Sequence, residues 1–263
     1  MLESLQLLLV TLRSWRVRSD PLSLLAEVAA IVDPDTWILV GGLMVHCHAQ
    51  MAGITHLRPT DDTDIVVKLH TGSYAMHAQA LINVGFVPHE PIDVDAPFHR
   101  FVRGIEIVDL MVTDRQSRRS RYMGRDIVRV PGSGSALKRT IEYELNNGVR
   151  IHIPDLPSAI SLKGAAHQVP SVNPVRHLQD AVTLLACGGP TGLEPEPSKS
   201  MRSNLNHVVQ CLMDSAEAWS LTAPANRIRA TQCLEAFSQV WQTPPFLEST
   251  AVTPSRRRPK HRR

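Results

Sequence analysis

Apolar residues recur at helical spacing in two stretches near the start, LQLLLVTLRSW and PLSLLAEVAAIV, and predict two helices within residues 1–32. The pattern then shifts to a short β-rich run, TWILVGG (36–42), which ends in two glycines. LMVHCHAQMAG follows with helical propensity. DIVVKL (64–69) predicts a second strand, and GSYAMHAQALINVGF (72–86) a helix that closes on glycine. HRFVRG and IEIVDLMV, around 99–112, predict a hairpin turning at Gly104. A loop with one short helix is expected through about residue 146, with GSGS at 132–135, before a last strand in VRIHIPD.

Beyond Leu156 the character is helical: LPSAISLKGAAHQ, PVRHLQDAVTLLA, and two further helices at 201–217 and 224–242. The Gly- and Pro-rich segment CGGPTGLEPEPSKS (187–200) reads as a linker. The predicted class is therefore α+β: a small mixed β-sheet core flanked by helices and followed by a helical C-terminal region. The expected organisation is an α/β core over 1–153 with the N-terminal helices, a helical region over 154–243, and a basic, disordered tail over 244–263.

Composition narrows the class. The chain has 263 residues, 43% hydrophobic and 20% charged, which suits a globular protein with a substantial core. Its apolar runs are too short to span a bilayer, and Glu3 interrupts any signal-peptide pattern. Four cysteines without a C-x-x-C pair fit a reduced, cytoplasmic protein with no membrane partner. The formal net charge of +3 depends on the last eight residues, RRRPKHRR, which hold six of the 28 basic residues. The remaining 22 face 25 acidic ones, a net of −3. Such a tail suits either a polyanion or plain solubility.

The candidate chemistry lies in RPTDDTDIVV (58–67) and IEIVDLMV (105–112). On a strand, side chains two apart share a face, so Asp62 and Asp64 point together if the extended region begins early. Asp109 falls on the Ile105–Ile107–Met111 side of its strand. A carboxylate there needs a partner, because an unpaired buried charge costs several kcal/mol, roughly. Arg103 or Arg58 would serve as an ion-pair partner. If the two strands are neighbours, three carboxylates converge, and a hard divalent cation such as Mg²⁺ best satisfies them. Gly41 and Gly42 stand between a strand and a helix, where a phosphate can approach backbone N–H groups. Close strand–helix packing explains the same glycines equally well.

VGGLMVHCHA, RPTDDTDIVV and IEIVDLMV resemble the core motifs of the DNA polymerase β-like nucleotidyltransferases, and most of all the AbiEii type, the toxin branch of certain toxin–antitoxin systems. The likeness continues into SLKGAAH, with Lys163, and RHLQDAVTLL, with Asp180, so that it spans roughly residues 36–187. Arg176 and His177 stand where that branch carries Lys and Asp, and an extra Asp61 precedes the acid pair. The resemblance implies Mg²⁺ or Mn²⁺ held by Asp62, Asp64 and Asp109, and a nucleoside triphosphate (NTP) bound by Gly41, Gly42, Arg58 and Lys163. It also implies Asp180 orienting Lys163 or the base and sugar, and nucleotidyl transfer to an acceptor hydroxyl. tRNA 3′ ends are the acceptor, and a cognate antitoxin the partner, that the resemblance suggests. A protein or small-molecule acceptor, or a non-catalytic binding member, are the alternatives.

Three other features compete for attention. In HCH (46–48) the histidines diverge by about 200° around a helix, which disfavours a zinc site. GSGS-ALKRT lacks the G-K-S/T ending of a phosphate loop and reads as a flexible loop. Residues 114–139 hold eight Arg or Lys against two Asp. Such a run suits a solvated face or a grip on nucleic-acid phosphates.

Overall fold

A computed structural model describes residues 21–241 apart from 57, 59, 61, 70–72, 94, 116–119, 192 and 194–196. The helix expected in LQLLLVTLRSW, Asp61, part of the linker and the basic tail lie outside the described residues.

The first described helix is α1 (Ser23–Ile31), followed by strand β1 (Trp37–Leu39). Asp33 opens the single 3-10 turn between them by accepting a hydrogen bond from Asp35 N–H. Helix α2 (Gly41–Met51) then leads to β2 (Asp62–Val67), α3 (Tyr74–Asn83) and the short β3 (Val87–Pro88). Strands β4 (Arg100–Arg103) and β5 (Glu106–Thr113) form the hairpin at Gly104, which takes φ +63°. The sheet order is β1-β2-β5-β4-β3; β2 and β5 are parallel and the remaining pairs on this path antiparallel.

Residues 114–146 carry more structure than the expected loop with one helix. They hold a two-stranded ribbon of β6 (Arg121–Tyr122) and β7 (Arg125–Asp126), then β8 (Arg129–Val130), which pairs parallel with the end of β5. The short helix α4 (Ser133–Ala136) is followed by β9 (Thr140–Glu144), which pairs with β10 (Arg150–Pro154). Several of the described basic residues of this segment are committed to ion pairs within the fold. Arg139 meets Asp155 at 2.7 Å, Arg125 meets Glu90 at 3.4 Å, and Arg121 meets Asp126 at 3.6 Å.

Four long helices complete the chain: α5 (Leu156–His167), α6 (Val175–Gly188), α7 (Lys199–Asp214) and α8 (Pro224–Trp241). Asp155 caps α5 by accepting from Ser158 N–H, with Pro157 in the first turn where its missing donor costs nothing. The sheet's inner face buries Ile65, Val108, Leu110 and Val112, and one apolar core runs from there through α2, α5 and α6 into α7. No described helix is long and apolar enough to cross a membrane.

Candidate functional site

The parallel pairing of β2 with β5 sets Asp64 directly opposite Asp109, and Asp62 opposite Ile107. Strand alternation does the rest. Val108 and Leu110 point into the core, whereas Ile107, Asp109 and Met111 lie on the opposite face. That face lines a cleft of about 250 Å³, whose walls hold Gly41, Gly42, Arg58, Asp62, Asp64, Arg100, Asp109, Lys163, Arg176, His177 and Asp180. All eight residues singled out in the sequence thus meet in one cavity, although Asp180 lies 118 positions beyond Asp62.

Three of the acids are differently placed. Asp109 is almost buried and is gripped by Arg100 through two hydrogen bonds of 2.9 and 2.7 Å. This corrects both expected partners, since Arg103 binds Glu27 and Glu106, and Arg58 binds Asp180. Arg100 also lies 3.8 Å from Asp62, which is half-exposed at the rim. The Asp64 carboxylate, among the described residues, makes no hydrogen bond or ion pair. Burial, and next the like charge of Asp109, push its pKa up to about 7; Lys163 and Arg100 only partly offset them.

The glycine pair is explained first by packing. A Cβ on Gly41 would stand 1.7 Å from Asp64 Oδ2, and one on Gly42 would stand 2.3 Å from Thr60 Oγ1. Gly41 also takes φ +68°, a left-handed conformation that favours glycine. Both residues open α2 with no side-chain cap, so the helix N-terminus faces the cleft beside Asp64.

The opposite wall is built around Asp180. Its carboxylate accepts from Lys163 Nζ at 2.7 Å and from Arg58 at 2.7 and 3.0 Å, while His56 Nε2 lies 3.5 Å away. Burial alone would raise its pKa. Lys163, the nearby His56 and the hydrogen bonds from Arg58 outweigh burial and hold the group well below the usual carboxylate range. His177 is pushed down to about 4 by burial, then by Lys163 and Arg176, so it is neutral at pH 7. Arg176 is exposed at the cleft mouth, which restores a cation where the resembled pattern has lysine.

The chemistry of the donor set favours a hard divalent cation. Carboxylate oxygens are its preferred ligands, and Asp64 offers an uncompensated one beside two more acids. The oxygens of Asp62, Asp64 and Asp109 do not all fall within 4.8 Å of one another. Arg100 lies between two of them, 2.7 Å from Asp109 and 3.8 Å from Asp62. In HCH, His48 bonds the Pro154 carbonyl at 2.9 Å while His46 stacks near His56, and the two do not meet.

One interaction escaped the sequence reading although a signal existed. A hairpin with Gly104–Ile105 at its tip must set Arg100 opposite Asp109. Comparison with known proteins adds little. No family model matches the chain, and no curated protein matches its sequence. Among solved structures it is similar to the crystal structure of an antigenic nucleotidyltransferase-like protein from Paracoccidioides brasiliensis. The two share 15% identity at a TM-score of 0.39, over 69% of this chain and 83% of that one. A likeness that slight is a partial overlay, and the cleft's own geometry carries the functional argument.

Proposed function

We propose that the chain is a metal-dependent nucleotidyltransferase of AbiEii type, transferring a nucleoside monophosphate from an NTP to an acceptor hydroxyl. The observation that carries this reading is Asp64: a carboxylate with no hydrogen bond or ion pair among the described residues, in register with Asp109, facing a glycine-opened helix N-terminus and a lysine across one cleft. A structural acid in such a place would be paired.

In this reading Asp62, Asp64 and Asp109 hold Mg²⁺ or Mn²⁺, which supplies charge neutralisation at the entering and leaving oxygens of the α-phosphate. The side chains perform positioning and electrostatic work. Gly41 and Gly42 leave the first-turn N–H groups of α2 open to the triphosphate. Lys163, paired with Asp180, presents a compact ammonium to phosphate oxygens. Arg176 extends the same cationic wall to the cleft mouth. Arg58 acts mainly by fixing Asp180. Arg100, now shared between Asp109 and Asp62, would compete with an ion for these acids and offers a guanidinium fork suited to a phosphate. The bond that forms joins the acceptor oxygen to the α-phosphorus, and pyrophosphate departs with the electron pair of the bond that breaks.

The tRNA 3′ end is the acceptor of choice, resting on the resemblance of the five motifs, and so is a toxin role with a cognate antitoxin. The self-neutralised Arg100–Asp109 pair favours a second reading, a member that binds nucleotide without turnover.

One experiment separates these. The purified protein is incubated with each α-labelled NTP, Mg²⁺ and total tRNA, in parallel with Asp64→Asn. Label on tRNA that vanishes in the variant supports the transferase reading, and label on protein moves the acceptor. Nucleotide binding without any transfer supports the second reading.

A further inference from the structure

The carboxylate cleft offers hard oxygen donors. A second cluster, one helical turn along α5 from Lys163, offers the opposite chemistry. His167 ends α5, and His207 and Cys211 stand one turn apart on α7. Their ligand atoms all lie within 4.8 Å of one another, and all three side chains are partly buried. His167 Nδ1 is 2.8 Å from His207 Nε2, and Cys211 Sγ is 3.6 Å from His207 Nε2.

We propose that His167, His207 and Cys211 form a Zn²⁺ site that staples α5 to α7, with a fourth position left to solvent.

Bond lengths of about 2.05 Å to nitrogen and about 2.3 Å to sulfur, set tetrahedrally, put two nitrogens about 3.3 Å apart and nitrogen and sulfur about 3.6 Å apart. The sulfur spacing to His207 is already met, and the imidazoles need to part by about half an ångström from the hydrogen bond they now share. The i,i+4 placement of His207 and Cys211 directs both side chains from one face of α7 toward the end of α5. The helices are also in intimate contact at this point. A Cβ on Gly164 would meet the Asn204 carbonyl oxygen at 2.4 Å, and Gln168 bonds both Gly164 O and Asn204 Oδ1. The scaffold under the site is therefore rigid, so little ordering remains to be done by an arriving ion. Two imidazoles and a thiolate select a borderline or soft metal over Mg²⁺.

The test uses Co²⁺ and Zn²⁺ on the full chain after chelation. Titrating Co²⁺ is expected to give a thiolate-to-cobalt charge-transfer band that saturates at one equivalent. Zn²⁺ should abolish that band, and excess Mg²⁺ should leave it intact. Cys211→Ser should lose the charge-transfer band, and His207→Gln should lose the bound equivalent, while Cys47→Ser, at a thiol buried elsewhere, keeps both. Each variant's far-UV circular dichroism establishes that it folds, and His167→Gln provides a second route if His207→Gln does not. Zn²⁺ should raise the melting temperature of the wild type and not of the His variants. No saturable band, or a band that persists in Cys211→Ser, overturns the site. Because the readout is spectroscopic, its failure leaves the nucleotidyltransferase reading to be decided by its own labelling experiment.

Discussion

Asp64 and Asp109 stand opposite each other in register on adjacent parallel strands, and they differ in one respect: Asp109 is clasped by Arg100, and Asp64 by no side chain among the described residues. The asymmetry leaves Asp109 balanced by an arginine and Asp64 under the repulsion of its neighbour. The expectations below follow from it and from the Asp180 junction across the cleft.

The first concerns pH. The pKa of Asp64 in the folded chain, about 7, lies above the ordinary value of 3.8. The folded state therefore holds this proton more tightly than the unfolded one, and stability from this group declines as pH rises between those values. The effect is on the order of a few kcal/mol. In metal-free buffer, Asp64→Asn is expected to gain in melting temperature over the wild type as pH goes from about 4 to about 7, with no further gain above. A difference that is flat across this range would show that Asp64 is not crowded by its neighbours.

Arg100 competes with any ion for Asp109. Replacing Arg100 by Gln should lower the melting temperature in EDTA, since two acids lose their shared cation. It should also tighten Mg²⁺ binding measured by calorimetry. If Mg²⁺ affinity is unchanged in Arg100→Gln, the ion does not bind between these acids.

Asp180 holds two cations together while nearly fully buried. Asp180→Asn should cost about 3–5 kcal/mol in denaturant unfolding, because Lys163 loses its anion inside the protein. Its depressed pKa gives stability that is present above the usual carboxylate range and fades as acid protonates the folded group. The variant should accordingly show a shallower loss of stability below about pH 4. Removing Lys163 together with Asp180 should recover part of the loss, as a double-mutant cycle would reveal.

Neighbouring glycines should differ. Gly41→Ala combines a positive φ with an overlap at 1.7 Å on the Asp64 carboxylate, whereas Gly42→Ala meets side-chain atoms of Thr60 and Arg58 that can shift. Gly41→Ala is expected to be the more destabilising by about 1–2 kcal/mol and to displace Asp64 from the cleft. Equal melting temperatures for the two variants would argue against the tight approach of β2 to α2.

Much of this architecture was legible because the elements that build the cleft are strongly patterned. The runs that became β1, β2 and β5 are rich in apolar residues, α6 has a clear helical spacing, and α5 is a small-residue and leucine run that packs on all sides. What stayed hidden was built from weak local signals. Strands β6, β7 and β8 are two residues each and rich in arginine, and β9 alternates charge with partly covered apolar residues against β10 alone. Their placement comes from tertiary context rather than propensity. The Asp109 partner was hidden for another reason: hairpin register had to be counted out from Gly104 to reach Arg100. The His167–His207–Cys211 group joins positions forty residues apart, and only the packing of Gly164 against α7 brings them together.

Asp180 binds a lysine from the preceding helix and an arginine from the approach to β2, so a single anion ties down three stretches that the chain makes at widely separated times. During synthesis, a polypeptide that has emerged only through α5 would carry both cations without their shared acid, and the cavity would lack its far side. The cleft's charge balance is therefore completed only when α6 docks.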